Sequence, residues 1–185
     1  IGSALSVAHH GIGIDGSILE IIHRDVNPSN ILVGPNATVK LIDFGISIGS
    51  IVPRNTKVNV IKGNPRYLSP EQAFGLEVDA RTDIYSLGLS LYEALTGIAP
   101  LAAETQEESL IMAREPHFSS LVHLRPEVTR EIDRVIQKSL ARDPGDRFQT
   151  MKAFVHALHQ CLLVINPSRL DESLNNLLSK IPLTY

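Results

Sequence analysis

The first stretch, Ile1 to His9, is apolar at Ile1, Leu5 and Ala8, a helical spacing, and the glycines of Gly11-Ile-Gly-Ile-Asp-Gly16 break it. Ile18 to Ile22 is rich in β-branched and apolar residues and predicts a strand leading into His23. Two more strand-like runs, Ile31 to Val33 and Thr38 to Ile42, flank Gly34-Pro-Asn-Ala37, a turn-rich tetrad of hairpin length. From Gly45 to Glu71 no period persists, and Pro53, Gly63, Pro65 and Pro70 interrupt the chain. A loop of that length in a compact domain is usually functional or disordered.

Beyond Pro70 the pattern turns helical. Asp83 to Leu95 places Ile84, Leu87, Leu91 and Leu95 on one face, with Thr82 or Asp83 as the cap and Gly97 as the stop. A helix containing Ser109 to Arg114 follows. The next runs from Pro126 to Ala141, with Val128, Ile132, Val135, Ile136 and Leu140 inward and Pro126 at a first helical position. Met151 to Ile165 and Ser168 to Ile181 complete the set, separated by Asn166-Pro167, with Ser168 and Asp171 close to a capping box. The expected class is α+β, mainly α: a small β-hairpin region followed by many helices, with no internal repeat.

Composition narrows this picture. At 185 residues and 43% hydrophobic content the chain can build one domain with a real core. Seventeen Lys and Arg against 20 Asp and Glu give a net charge of −3, which argues against a nucleic-acid binder held by bulk positive charge. The single cysteine, Cys161, excludes an intramolecular disulfide framework and fits a reducing, cytoplasmic compartment, with membrane anchoring through segments outside this stretch left open. No apolar run approaches the roughly 18 residues that span a bilayer, so no membrane segment is expected in this stretch. The chain opens on Ile1, already inside a helix-like run, and is expected to be a piece of a longer protein.

The densest polar cluster is His23-Arg-Asp-Val-Asn-Pro-Ser-Asn30, followed across the expected hairpin by Asp43-Phe-Gly45. A hairpin folding back on itself can bring Asn30 and Asp43 to one point. Two oxygen ligands with room for water and phosphate oxygens suit magnesium, which rarely takes an all-protein cage. Asp25, offset from that pair, is left to accept a proton from a hydroxyl.

These residues resemble the C-terminal, large lobe of a eukaryotic-like protein kinase. The order His-Arg-Asp with a downstream Asn, then Asp-Phe-Gly, then a Pro-Glu anchor is met, the last as Ser69-Pro70-Glu71. Asp83-Ile-Tyr-Ser-Leu-Gly88 is similar to the helix that supports the family's catalytic loop. Asp143-Pro-Gly-Asp-Arg147 is similar to the late segment whose arginine pairs with the Pro-Glu glutamate. The insertion before His23 and the Leu68-Ser-Pro-Glu-Gln72 stretch resemble bacterial serine/threonine kinases in particular.

The resemblance implies residues 1–160 as the large lobe of an incomplete kinase domain, residues 161–185 as a helical extension, and a small lobe lying outside this stretch. It implies Mg-ATP as the cofactor and a protein hydroxyl as the acceptor. Asp25 would be the catalytic base, Asn30 and Asp43 the magnesium ligands, and Leu32 would lie under the adenine ring. His23 and Phe44 would be packing residues. Arg24 could pair with a phosphate added to the following loop, where Thr56 is the acceptor candidate. No phosphate loop, strand lysine or partner glutamate fits within the chain, so little activity is expected from it alone. Gly11-Ile-Gly-Ile-Asp-Gly16 satisfies G-x-G-x-x-G, but its setting between a helix and a strand makes it a surface turn.

Two positions depart from the family. Asn27 stands where serine/threonine kinases carry a lysine that neutralises the transferred phosphoryl group, and it inherits a catalytic assignment by position. Gly63-Asn64 replaces the usual Gly-Thr. Losing one preorganised donor costs about 3 kcal/mol in favourable systems, against the roughly 8 to 23 kcal/mol enzymes supply, so catalysis is expected to survive. A pair of amides at 27 and 64 could preserve a contact between them. The alternative is a pseudokinase acting as a nucleotide-binding or scaffolding module. His156, His159 and Cys161 are expected to be ordinary helix residues, and the final helix is expected to dock on the lobe.

Overall fold

The computed structural model describes residues 1–12, 16–17, 20–34, 38–44 and 63–164. In chain order the elements are α1 (Gly2–His10), β1 (Ile31–Val33), β2 (Val39–Leu41), α2 (Pro70–Phe74), α3 (Ala80–Thr96), α4 (Gln106–Arg114), α5 (Leu121–Leu124), α6 (Arg130–Ser139) and α7 (Met151–Val164). Short 3-10 turns at Pro28–Asn30, Pro65–Tyr67 and Pro144–Asp146 each follow an Asn or Asp whose side chain accepts a backbone N–H.

α3 is the centre. Residues Thr82 to Ser90 are buried without interruption, so this helix has no solvent face over its first half and is wrapped on all sides. α6 approaches it through Gly88, where an added Cβ would meet Ser139 Oγ at 2.3 Å. Glycine is needed there for close approach. α1 and α7 meet in the same way at Gly2, whose Cβ would stand 2.2 Å from Val155 Cγ2. Leu5, Val26, Leu68, Ile84, Leu89, Leu101, Leu121, Ile136, Met151 and Phe154 fill the core between these helices.

The hairpin pairs Ile31 with Leu41, Leu32 with Lys40 and Val33 with Val39, antiparallel. It touches the edge of that core through Leu41 and leaves Leu32, Val33 and Val39 exposed. The mainly helical α+β architecture follows the hydrophobic pattern, and the hairpin strands fall within the expected runs.

Several boundaries differ from the sequence reading. Glu20–Ile22 form no strand; Ile21 N donates instead to Ala8 O at the end of α1 (3.0 Å), so that segment is tied to a helix. α3 starts earlier than Asp83 because Asp79 is its cap, accepting from Arg81 N. That frees the side chains of Thr82 and Asp83, inside the first turn, for tertiary bonds. α6 does not start at Pro126: Thr129 caps it through Ile132 N, and Pro126 lies in the turn closed by Val128 N and Arg125 O. A side-chain acceptor outcompetes a favourable proline. α5 was not signalled by periodicity, being too short to show any.

Parts of the Gly11 to Gly16 turn and the Gly34 to Ala37 tetrad lie outside the described residues, as do Gly45, Thr56 and the expected helix from Ser168 to Ile181. Cys161 is buried as expected, with burial raising its thiol pKa. His156 and His159 are exposed on α7.

Candidate active site

Asp83, fully buried in α3, organises the loop from His23 to Asn30. Its Oδ2 accepts from His23 N (2.8 Å) and shares a 2.7 Å hydrogen bond with His9 Nε2, and its Oδ1 accepts from Arg24 N (2.8 Å). A carboxylate from the core thus takes two successive backbone N–H groups and forces a sharp bend. Arg24 adopts φ +67°, a left-handed conformation that non-glycine residues take only when held. The bend turns Asp25 outward while Val26 and Asn27 turn back into the protein.

The Asp25 carboxylate is gathered in by three amides. Oδ1 accepts from Asn27 Nδ2 (2.9 Å) and from Asn64 N (3.1 Å), and Oδ2 accepts from Asn30 Nδ2 (3.0 Å). Asn30 Nδ2 also donates to Asp25 O (2.8 Å). Asp25 is therefore in direct contact with Asn30, where the sequence reading had it offset. The amide oxygen of Asn30 is the part left for a cation.

Asn27 is 3% exposed, and its bonds stay within the loop. Nδ2 donates to Asp25 O and Oδ1, and Oδ1 accepts from Ser29 N, capping the 3-10 turn. The two asparagines that depart from the family pattern meet through Asp25 Oδ1, Asn27 by its side chain and Asn64 by its backbone. The Asn64 side chain accepts from Arg66 N and caps its own turn.

Asp43 sits at the far end of β2 with φ +54° and an exposed side chain. Ile42 N donates to Asn30 O (2.9 Å), which extends the hairpin pairing by one step and places positions 30 and 43 at the same end. Among the described residues no group of three or more His, Cys, Asp or Glu stands together. One amide oxygen and one carboxylate form the sparse hard-oxygen set that magnesium takes when phosphates and waters complete its shell. His23 is fully buried, its ring 4.7 Å from that of Phe44 and its Nε2 3.1 Å from Ile42 O. Both residues serve as packing between the loop and the hairpin, as expected. Leu32 is 50% exposed on β1, beside this end of the site.

A second layer fixes the segment from Gly63 to Glu71 against the loop. Arg147 donates Nη1 and Nη2 to Glu71 Oε1 and Oε2, both at 2.8 Å, and Thr82 Oγ1 donates to Oε1 (2.7 Å). Burial pushes the Glu71 carboxyl up, but the hydrogen bonds and charge of Arg147, with help from Thr82, outweigh it and hold the pKa below the usual carboxylate range. Arg147 also lies over the Tyr85 ring at 4.6 Å. Tyr67 donates a short hydrogen bond to Glu93 on α3, and burial followed by the Glu93 carboxylate raises its phenol pKa.

Sequence reasoning did not find His9 or Gln72. His9 carried no signal of its own within the first helical run, and only the tertiary structure reveals its bond to Asp83. Gln72 carried a legible signal, since Ser69-x-x-Gln72 is a capping-box pattern. Its second bond, Nε2 to Arg24 O at 2.8 Å, was not legible.

A loop bent by a buried carboxylate, an outward aspartate beside a hairpin bearing a second one, and a Glu–Arg pair under the connecting segment together define a protein kinase lobe. Residues 16–159 match the family model of the protein kinase domain, and the chain belongs to that family. It is 39% identical over 158 residues to the tyrosine-protein kinase MasK of Myxococcus xanthus, covering 85% of this chain and 24% of that protein. It is 42% identical over 147 residues to the serine/threonine-protein kinase PknB of Mycolicibacterium smegmatis, covering 76% of this chain and 23% of the relative. With PknB of Mycobacterium tuberculosis the identity is 40% over 134 residues, covering 70% and 21%. The chain thus spans about a quarter of the length of these curated relatives.

Proposed function

We propose that this chain is the large lobe of a bacterial-type protein kinase that transfers the γ-phosphoryl group of Mg-ATP to a serine or threonine hydroxyl of a protein. The observation that carries the reading is the Asp25 carboxylate, oriented by Asn27, Asn30 and the Asn64 N–H, with Asp43 at the same end of the hairpin as Asn30. Asp25 would accept the hydrogen bond of the incoming hydroxyl and take its proton as the new P–O bond forms. Asn30 and Asp43 would hold magnesium, which when bound offsets the negative charge of the nucleotide phosphates. Leu32, half exposed on the hairpin, offers an apolar surface for the adenine ring. Arg24, exposed at the loop's bend, would meet a phosphate on the segment that includes Thr56. A small lobe, as the family pattern expects, would close over the nucleotide.

Relatives bearing both serine/threonine-kinase and tyrosine-kinase names occur. We assign the serine/threonine reading on the pattern of the loop and on the PknB relatives. Asn27 favours a second reading, a nucleotide-binding pseudokinase, because its amide bonds stay inside the loop and bring no cation to the phosphates. One experiment separates the two. In the full-length protein, Asp25→Asn is expected to leave the fold and ATP binding intact and to lower phosphotransfer by about 100-fold or more. ATP binding with no phosphotransfer in the unaltered protein supports the pseudokinase, and unchanged autophosphorylation in the variant shows that Asp25 is not the base.

A further inference from the structure

We propose that Gln72 is a positioning residue for Asp25, acting through the carbonyl of Arg24. The proposal rests on the reading of Asp25 as the residue that orients the acceptor hydroxyl. Asp25 hangs from the peptide plane that joins it to Arg24, and the protein holds that plane at both ends. Arg24 O accepts from Gln72 Nε2 at 2.8 Å, and Asp25 N donates to His23 Nδ1 at 3.3 Å. The neighbouring plane is held by Arg24 N on Asp83 Oδ1. Because Arg24 sits at φ +67°, its backbone keeps this orientation only while its polar groups are bound. Among the described residues, Gln72 supplies the hydrogen bond that Arg24 O receives, and no backbone group there replaces it.

Gln72 reaches the loop from a fixed base. It is the third residue of α2, and its Oε1 accepts from Ser69 N (3.1 Å) while Ser69 Oγ caps Gln72 N. The amide is thereby split between two tasks: the oxygen closes the capping box and the nitrogen reaches the catalytic loop. The same junction is tight from the other side. Gly63, at φ +110°, lies so near that an added Cβ would meet Arg24 O at 3.3 Å and Asp25 Oδ1 at 3.4 Å, and Asn64 N bonds Asp25 Oδ1. Residues 63–72 thus clasp residues 24 and 25 at both ends of the segment. Gln72 ties the position of α2 to the direction of the Asp25 carboxylate.

The two halves of the amide allow a test by exchange of function. Glu at position 72 keeps the oxygen acceptor that the capping box favours, but removes the N–H and sets an anion against Arg24 O. Lys at 72 keeps a donor long enough to reach Arg24 O and loses the acceptor. In the full-length protein, Gln72→Glu is expected to leave the melting temperature of the domain unchanged and to speed hydrogen exchange of residues 23–27 about tenfold. It is further expected to lower kcat on the order of 100-fold, the cost of a misplacement of about 1 Å, while KM for ATP stays within about threefold. Gln72→Lys is expected to lower the melting temperature and to retain kcat within about threefold. The reverse pattern, an active Glu variant and an impaired Lys variant, makes Gln72 a cap only and overturns the proposal. Equal kcat losses in both variants also overturn it. Should the unaltered protein transfer no phosphate, the kinase reading fails by itself, and exchange decides the positioning role: unchanged exchange at 23–27 in the Glu variant sinks it.

Discussion

Arg147 and Glu71 are the residues on which burial and charge are most finely balanced. They are 2% and 6% exposed, and the guanidinium is occupied in addition by Ala141 O, Arg81 O and Arg142 O. A buried pair is tolerable when every hydrogen-bonding group is met, and removing one partner strands the other. Glu71→Gln is expected to destabilise the domain by roughly 3 to 5 kcal/mol at pH 7, measured by denaturant unfolding. The sign of the pH dependence follows from the depressed carboxyl. Since the folded value lies below the ordinary 4.5, the stabilisation is complete above pH 4.5 and is lost as pH falls through the folded value. Unfolding curves of the unaltered domain should therefore shift to lower denaturant below about pH 4.5, and the gap to Glu71→Gln should narrow there. A constant gap from pH 7 down to the acid limit would show that the pair is not what the variant disrupts. At this scale the sequence was informative where a motif named both partners, as for Glu71 and Arg147. It was silent where one residue serves two elements, as His9 and Gln72 do.

At the scale of elements, α3 is legible in part. Its hydrophobic face and its stop at Gly97, which adopts φ +75°, were readable from spacing and residue type. The bonds of its buried polar side were not: Thr82 and Asp83 were expected as caps, yet they, Ser86 and Ser90 are enclosed and bonded to other parts of the chain or to the preceding turn. Periodicity registers hydrophobicity, and it cannot register polar groups whose partners lie far away in sequence. Gly88 belongs to the same helix and sets its distance from α6. Gly88→Ala is expected to cost roughly 1 to 3 kcal/mol, the usual penalty of overpacking. Ser139→Ala removes the atom nearest the new methyl, and in a double-mutant cycle it should recover part of that loss. Strict additivity of the two changes would show that the helices do not meet there.

For the whole molecule, α3 is the body to which the elements of the candidate site are attached. The loop hangs on Asp83, the segment after Gly63 rests on Ser86, Thr82 and Glu93, and the hairpin is joined to the loop through Asn30 and His23. Among the described residues, Leu32, Val33 and Val39 leave the hairpin's outer face exposed. With no phosphate loop or lysine fitting the family pattern among its 185 residues, the chain should by itself transfer phosphate slowly. A phosphotransfer assay on a generic protein substrate, run side by side with a complete kinase domain of the family, checks this. Equal rates would mean that these residues suffice.

The sequence by itself determined the class, the hairpin strands, the order of the motifs and the choice of Asp25, Asn30 and Asp43 as candidates, because these depend on residue type at short separation. Tertiary structure alone decided how Asp25 is aimed. Asn27 and Asn30 lie close to Asp25 in sequence, but the bend at Arg24, the Asn64 N–H on the carboxylate and the donor from Gln72 depend on groups many residues apart, brought together around α3. A short motif can name a carboxylate, but its direction is set by whichever distant N–H groups the core places beside it.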